Sequence, residues 1–342
     1  MYRIIENPAQ ELWDSYVQRN DMATIFHTTA WKNVIQKSFG HTPLYAAVFR
    51  DGEIAGILPL FKIASIFTGK RLVSLPYSSI GGPLAESDTE KELLIEYAEE
   101  RRASLNCAYM ELRTRDGINS HRFSVEERST YLNSWVELDN DSDRMWRRIS
   151  EHGRTPVRKA EKSGLTVREA DSEEDMKSFY RLNLLTRKKN GFPSFSMDFF
   201  RSVIKELNGK LLFAELGKEA IGSLLSVPFK DRVYYVLYSG VNDQYRHLRP
   251  TDLLFWHVIK RACLNGFKYV DFGRTDKADK GLIFFKEKWA SRSEALRYYY
   301  LPRSSFVSSR SGLKFHMVNT FFKKLPISIA RVLGPPLIKR LG

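Results

Sequence analysis

The chain reads as an α/β protein with mixed sheets, arranged as two tandem copies of one unit, and three observations carry that expectation. The stretch Ala262-Cys263-Leu264-Asn265-Gly266-Phe267-Lys268-Tyr269-Val270-Asp271-Phe272-Gly273-Arg274-Thr275 echoes Ala103-Ser104-Leu105-Asn106-Cys107-Ala108-Tyr109-Met110-Glu111-Leu112-Arg113-Thr114, about 160 residues earlier. Upstream of each, a second pair matches: Ala46 to Gly56 with Phe213 to Gly222. Both halves then follow one order of strand, glycine-containing turn, strand, further strand, amphipathic helix and strand ending in an acid. A length of 342 residues accommodates roughly two domains, and 43% hydrophobic residues suffice for two packed cores.

The first domain is expected over 1–142. It opens with helices around 11–19 and 31–38 and continues with strands at 44–50, 54–61 and 71–76. A Pro-Tyr-Ser-Ser-Ile-Gly-Gly-Pro turn follows, then a helix over 88–105 whose Leu93, Leu94, Tyr97 and Ala98 form an apolar stripe. Strands at 108–113 and 131–138 complete it. A basic helix from Asp143 to Ser163, C-capped by Gly164, joins the halves. The second domain, 143–300, continues with a strand at 165–169, helices at 172–190 and 196–208, and strands at 210–216, 220–229 and 232–239. Pro250 then opens a helix to Asn265, a favoured place because the missing N–H has no partner there anyway. Strands at 267–272 and 294–300 end this half, and 301–342 is a basic amphipathic tail.

The net charge of +14 is confined to two segments. Residues 303–342 hold eight Lys or Arg and no acid, and residues 144–168 hold eight against Glu151 and Glu161. Together these account for the whole excess, which implies a polyanionic partner or surface at those places. Neither a secretory signal nor an apolar run of membrane-spanning length is evident, so the expected compartment is the cytoplasm. Cys107 and Cys263 suit neither a metal site nor a disulfide framework and are read as packing residues.

The order of elements resembles that of the N-acetyltransferase (GNAT) superfamily. That resemblance implies two neighbouring strands that splay apart and an acyl donor between them, its carbonyl polarised by exposed backbone N–H groups. In ordinary members a glycine-rich loop at the start of the following helix holds the pyrophosphate of coenzyme A. Here that place reads Gln244-Tyr245-Arg246-His247-Leu248-Arg249-Pro250, without the glycines. Arg246 and Arg249 still make this helix start a better anion site than that of helix 88–105, which begins among Glu86, Asp88, Glu90 and Glu92.

The run Val270-Asp271-Phe272-Gly273-Arg274-Thr275-Asp276-Lys277-Ala278-Asp279-Lys280-Gly281-Leu282-Ile283-Phe284-Phe285-Lys286-Glu287-Lys288-Trp289 resembles the FemAB family of peptidoglycan-bridge aminoacyltransferases. It is closer still to FemAB-related proteins associated with exopolysaccharide and PEP-CTERM systems. Phe26-His27-Thr28-Thr29-Ala30-Trp31, Gly81-Gly82-Pro83 and Arg158-Lys159-Ala160-Glu161-Lys162-Ser163-Gly164 agree with this. The resemblance implies two tandem GNAT-like domains and an amino acid moved from aminoacyl-tRNA to an amine. It also implies that Lys286, in the Phe-Lys-x-x-Trp motif, stabilises the oxyanion or the leaving hydroxyl, and that acceptor-binding cations map near Lys32 and onto Arg187. Asp271 could orient Lys286 or Arg274, accept the amine's proton, or merely cap the next turn; Asp276 is an alternative base. Tyr77 and Tyr238 follow the third strand of each copy and could bind sugar hydroxyls or protonate a leaving group.

No Gly-x-Ser-x-Gly motif and no Cys paired with a nearby His appears, so direct attack of a neutral amine on an activated carbonyl is expected, without a covalent intermediate or a metal. No tightly bound cofactor is implied; the donor is aminoacyl-tRNA or acyl-CoA. The resemblance implies a lipid-linked or nucleotide-linked sugar or peptide as acceptor. Two alternatives stay open: an acyl-CoA-dependent N-acetyltransferase, and a non-catalytic module that binds polysaccharide precursors. The basic segments admit tRNA phosphates as a partner of 143–163. For 303–342 they admit either the inner membrane surface or packing on the first domain with the basic face in water.

Overall fold

The computed structural model describes residues 1–65, 69–115, 117–118, 125–170, 172–302 and 313–341. The chain divides into two compact units, one of Met1–Tyr131 with Ala295–Ser309 and Lys339–Gly342, the other of Leu132–Glu294 with Arg310–Ile338.

In unit 1, β1 (Tyr2–Glu6) precedes α1 (Gln10–Arg19), a 3-10 turn (Ile25–His27) and α2 (Thr29–Phe39). Then come β2 (Thr42–Arg50), β3 (Glu53–Ser65), β4 (Gly69–Val73), the two-residue β5 (Leu84–Ala85), α3 (Asp88–Ser104) and β6 (Tyr109–Thr114). Strand β7 (Glu126–Glu137) carries the chain into unit 2, where α4 (Ser142–Arg148) and α5 (Glu151–Lys162) lead to β8 (Leu165–Glu169), α6 (Glu173–Lys189) and α7 (Met197–Leu207). Next are β9 (Lys210–Leu216), β10 (Glu219–Phe229), β11 (Val233–Val241), a 3-10 turn (Asp243–Leu248), α8 (Pro250–Leu264), β12 (Tyr269–Asp276) and α9 (Lys280–Glu287). Strand β13 (Arg292–Leu301) returns to unit 1, and α10 (Leu313–Lys324) and α11 (Ile327–Leu341) end the chain.

Within each unit the strands follow one plan. Unit 1 orders them β1-β2-β3-β4-β6-β13 and unit 2 orders them β8-β9-β10-β11-β12-β7. Each has three antiparallel pairings and then one parallel pairing, β4 with β6 and β11 with β12. The repeat read from the sequence is therefore a repeat of structure. The sixth strands are exchanged: β13 pairs antiparallel with β6, while residues 132–137 of β7 belong to unit 2 beside β12. Residues 132–142 and 295–300 thus lie in the units opposite to those the sequence order suggested.

Each sheet packs its helix over a core. In unit 1, Leu94, Ile95 and Ala98 of α3 meet Leu58, Leu60, Leu72 and Met110; in unit 2, Leu254, Val258 and Ile259 of α8 meet Leu212, Leu224, Val270 and Trp289. Cys107 and Cys263 are buried free thiols in these two cores. The expected single helix over 143–163 is two, broken at Ile149–Ser150, because the N–H and hydroxyl of Ser150 both donate to the Lys288 carbonyl (3.2 and 3.0 Å). Gly164 ends α5 with φ +77°, as its C-cap role requires. The tail also departs from expectation. It forms two helices, and residues up to Ile338 pack on unit 2 rather than on the first domain.

Candidate active site

Strands β11 and β12 keep parallel register for three pairs, Val233 with Tyr269, Tyr234 with Val270 and Tyr235 with Asp271. Both strands continue, but their ladder does not. On the other edge of β11, the pairing with β10 shifts register between Leu225 and Ser226, leaving Leu237 as the extra residue of a bulge. A bulge bends its strand and increases the twist, which turns the end of β11 away from β12. The opening between the two strands is where the sequence places Asp271, Arg274 and Tyr238.

Asp271 lies inside β12 rather than at its end, and is 5% exposed. One carboxylate oxygen accepts the Gly273 N–H (2.6 Å) and the other accepts Asn133 Nδ2–H (2.9 Å), so the side chain braces the turn of the strand and stays fixed. Asn133 lies on β7, and no local pattern in the sequence links it to Asp271. Gly273 has φ +67°, and nothing stands within 4 Å of where a Cβ would be. Its carbonyl accepts a hydrogen bond from Lys286 Nζ at 2.6 Å, and the Arg274 carbonyl accepts a longer one at 3.4 Å.

Lys286 is 4% exposed, on α9. Its neighbours in the motif hold it there: Phe285 packs against Phe255 and Trp289, all within the core of unit 2. Burial drives the Lys286 pKa down to about 8; Asp271 and Asp279 oppose that drop, and Arg274 reinforces it. Two of the three N–H groups of the ammonium are spent on peptide carbonyls, which leaves one for a ligand.

Tyr238 is half-buried on β11, with Phe195, Phe199 and Phe200 edge-on to its ring. Burial raises its pKa, while Arg187 and Arg274 act to lower it. Arg187 on α6 donates from Nε to the Pro193 carbonyl (2.6 Å) and lies 4.7 Å over the Phe195 ring; burial lowers its pKa to about 10. Close packing of α6 on β11 sets this arrangement, since a Cβ on Gly240 would come within 2.5 Å of the Leu182 backbone. Asn183 and Thr186 add hydrogen bonds to the Ser239 carbonyl and the Val241 N–H.

Five of the expected residues, Asp271, Arg274, Lys286, Tyr238 and Arg187, therefore share one electrostatic neighbourhood in unit 2. The other five are placed elsewhere. Asp276 is exposed and accepts the Ala278 N–H (2.9 Å) in the turn before α9. Arg246 is exposed and paired with Asp243 (2.8 Å), and Arg249 is the residue before α8, with φ +67°. In unit 1, Lys32 lies 5.1 Å over the Tyr45 ring, its pKa lowered by burial against the pull of Asp14. Tyr77, with φ +64°, stacks on Phe39 and hydrogen-bonds His41 Nε2 at 3.0 Å.

The start of α8 carries a proline and a buried carboxylate. Pro250 removes one of the first-turn N–H groups, and Asp252, in that turn, is buried in an ion pair with Lys288. A carboxylate already satisfies the positive end of the helix dipole. Sequence reasoning passed over Lys288, two residues beyond Lys286, because only the pairing across to α8 reveals it. Among the described residues no group of three or more His, Cys, Asp or Glu is arranged to hold a metal ion.

The matching place in unit 1 is filled. Glu111 stands in register where Asp271 does, and Arg113 where Gly273 does. The Arg113 guanidinium is fully buried; it donates to Glu111 (2.7 Å) and to the carbonyls of Leu75 (3.2 Å) and Ser78 (2.9 Å). An arginine with its own internal acceptors occupies the space that Gly273 leaves open.

Comparison with known proteins agrees with this geometry. Residues 147–281 match the family model described as an acetyltransferase (GNAT) domain. The structure is similar to that of FemX, with TM-score 0.68 and 16% identity over 87% of this chain and 96% of that one. It is also similar to the C-terminal domain of a putative lysylphosphatidylglycerol synthetase from Agrobacterium fabrum, with TM-score 0.56 and 11% identity over 86% and 92% of the two chains. A tandem GNAT protein from the clavulanic acid biosynthesis pathway gives TM-score 0.56 and 8% identity over 89% and 100%. No curated protein matches the chain in sequence.

Proposed function

From a chain whose residues 147–281 match a GNAT domain and of which 87% shares the fold of FemX, we propose an aminoacyltransferase that moves an activated acyl group from an ester donor to an amine of a cell-envelope or exopolysaccharide precursor. The acyltransferase class follows from the GNAT domain; the donor, the acceptor and the residue roles are our reading. One observation carries it: a buried lysine, Lys286, held against the Gly273 carbonyl at the mouth of the splayed β11 and β12, in the unit whose splay is open.

In this reading the acyl carbonyl lies between the strand ends beside Gly273, where no side chain intrudes. The neutral amine attacks the carbonyl carbon, and negative charge develops on its oxygen. The remaining N–H of Lys286 meets that oxygen; as the C–O bond breaks the departing oxygen gains a proton and the amine nitrogen loses one, either directly or through Lys286, which protonates the first and is reprotonated by the second. Asp271 keeps the strand and the ammonium in place rather than acting as the base. Tyr238, Arg187 and Arg274 line the acceptor side, where a guanidinium fork suits a phosphate or uronate.

Acyl-CoA is the less favoured donor, because Pro250 removes a first-turn N–H and the Asp252 carboxylate lies in that turn, both of which weaken the helix start as a pyrophosphate site. An aminoacyl ester on tRNA needs no pyrophosphate site there. FemX, the lysylphosphatidylglycerol synthetase and the tandem GNAT protein share the fold, and that likeness supports the reaction class and not a substrate. The test is incubation of purified protein with labelled aminoacyl-tRNA or labelled acetyl-CoA and a panel of amino-sugar and peptide acceptors. Label transferred from aminoacyl-tRNA supports the reading. Transfer from acetyl-CoA alone, or undiminished transfer by Lys286→Ala, overturns it.

A further inference from the structure

The last two helices present two apolar faces. The inner one closes on the segment after α6. Phe322, Ala330 and Ile338 are buried, and Gly334 sits where a Cβ would lie 2.6 Å from the Ser194 nitrogen. Ser194 Oγ donates to the Ala330 carbonyl (3.3 Å), Lys188 Nζ donates to the Lys323 carbonyl (3.2 Å), and a Cβ on Gly191 would meet the Asn319 carbonyl at 2.6 Å. The outer face is unlike that of an ordinary surface helix. On α11, Ile329, Val332, Leu333 and Pro336 recur at i, i+3, i+4 and i+7, opposite the buried row, and all four are exposed, Val332 by 69%. Phe321 of α10 adds a further ring, 53% exposed.

A helix with apolar residues in water on one side and protein on the other is missing an occupant. The surrounding charge indicates its chemistry. Between Val318 and Arg340 there are five cations, Lys323, Lys324, Arg331, Lys339 and Arg340, and no acid. Among the described residues Lys323, Lys324 and Arg340 have no ion-pair partner. A second copy of this face would set Lys323, Lys324 and Arg340 against their own copies, which disfavours self-association. An apolar row flanked by lysine and arginine is instead complementary to the headgroup boundary of an anionic bilayer. None of the described helices is long and apolar enough to cross a membrane, so the contact is one of lying on the surface.

We propose that the outer face of α10 and α11 docks on an anionic lipid bilayer, with Phe321, Ile329, Val332 and Leu333 among the acyl chains and Lys323, Lys324 and Arg340 at the phosphates. This rests on the reading above for its biological sense, since a lipid-linked acceptor would lie at such a surface. The inner face bears on the same site: it holds residues 188–194, and the Pro193 carbonyl in that segment fixes Arg187.

The test needs neither donor nor acceptor. Full-length protein is co-sedimented with vesicles of phosphatidylglycerol and phosphatidylcholine, and with phosphatidylcholine alone. The expected result is about tenfold more binding to the anionic vesicles, weakening as salt rises. The double variant Val332→Glu with Leu333→Glu lowers binding about tenfold, and Lys323→Glu with Lys324→Glu lowers binding to anionic vesicles only. All four side chains are exposed, so each variant should keep the parent's circular dichroism and Tm. The proposal is overturned by absent binding, by equal binding to neutral vesicles, by variants that bind undiminished, or by a parent dimer that the Val332 and Leu333 pair dissolves. Vesicle binding without any transfer activity would sink the transfer reading and leave the docking surface standing.

Discussion

An ammonium buried against two peptide carbonyls is held at a cost, and Lys286 shows its size. Its pKa falls from 10.5 to about 8, which corresponds to about 3 kcal/mol unfavourable to the charged form. The unfolded chain binds the proton more tightly than the folded one, so the penalty is full below pH 8 and is relieved as pH rises from about 8 to 10.5. Lys286→Met should therefore unfold at higher urea than the parent at pH 7, with the gap narrowing toward pH 10. The same substitution should lower kcat/KM by about 100-fold or more, as loss of an oxyanion donor does. If the charged form serves the reaction, kcat/KM of the parent declines as pH rises through about 8; a profile flat from pH 7 to 9 would remove Lys286 from the chemistry. His41 behaves in the opposite pH range. Burial, with Lys339 and Arg71 adding like charge, lowers its pKa to about 4. Here too the unfolded state binds the proton more tightly, so stability is lost as pH falls from 6.5 toward 4, by about 3 kcal/mol at the end of that range. Urea titrations of parent and His41→Gln should separate below pH 6 and run parallel above pH 7.

At the scale of elements, α8 and the residue that ends α9 are joined by the buried Asp252–Lys288 pair, and the physics of such pairs separates two kinds of variant. Asp252→Ala strands an ammonium in the core and should cost about 3–5 kcal/mol, whereas Asp252→Leu with Lys288→Met, which leaves neither charge, should recover most of that loss. Urea unfolding of the parent, Asp252→Ala and the double variant checks the claim, and equal loss in the single and double variants would refute it. Most elements of this region were legible because period and punctuation act locally: Pro250 opens α8, Gly164 closes α5, and Gly217 turns β9 into β10. The break at Ile149–Ser150 was not legible. Pro156, which would suggest a stop, lies within α5, while the real interruption is imposed by the Lys288 carbonyl 138 residues away. Strand β12 was read as ending at its acid, yet runs on to Asp276, because the hydrogen bond from the Gly273 N–H to Asp271 turns the backbone without ending the strand. Of the site, residue types and motif pointed to Lys286 and Asp271, but Asn133 and Lys288 depend on contacts that no window of sequence contains.

For the whole molecule, the repeat has an asymmetry of use and an exchange of parts. Arg113 spends its guanidinium on internal carbonyls in unit 1, while at the matching place in unit 2 nothing stands within 4 Å of a Cβ on Gly273, so the proposed acyl site falls in the second copy. The exchange could not be read from pattern, because β7 and β13 are both amphipathic strands placed after an acid-bearing strand, and alternation says which face is buried but not which neighbour is paired. It has a direct consequence for folding. A chain cut between residues 142 and 143 would leave the first fragment without β13, the partner of β6 over Arg297 to Leu301, and the second without β7, whose Asn133 holds Asp271. Each fragment would then expose the edge of its sixth-strand position, a row of unpaired backbone groups beside a hydrophobic core. Fragments 1–142 and 143–342 expressed separately should be insoluble or should lack a cooperative thermal transition. Co-expressed, they should assemble into a complex that restores the transition and, with it, whatever transfer activity the intact chain has. If either fragment alone gave a dispersed amide spectrum and a cooperative transition, the exchanged strands would not be integral to their units and the pairing of β13 with β6 would have to be abandoned.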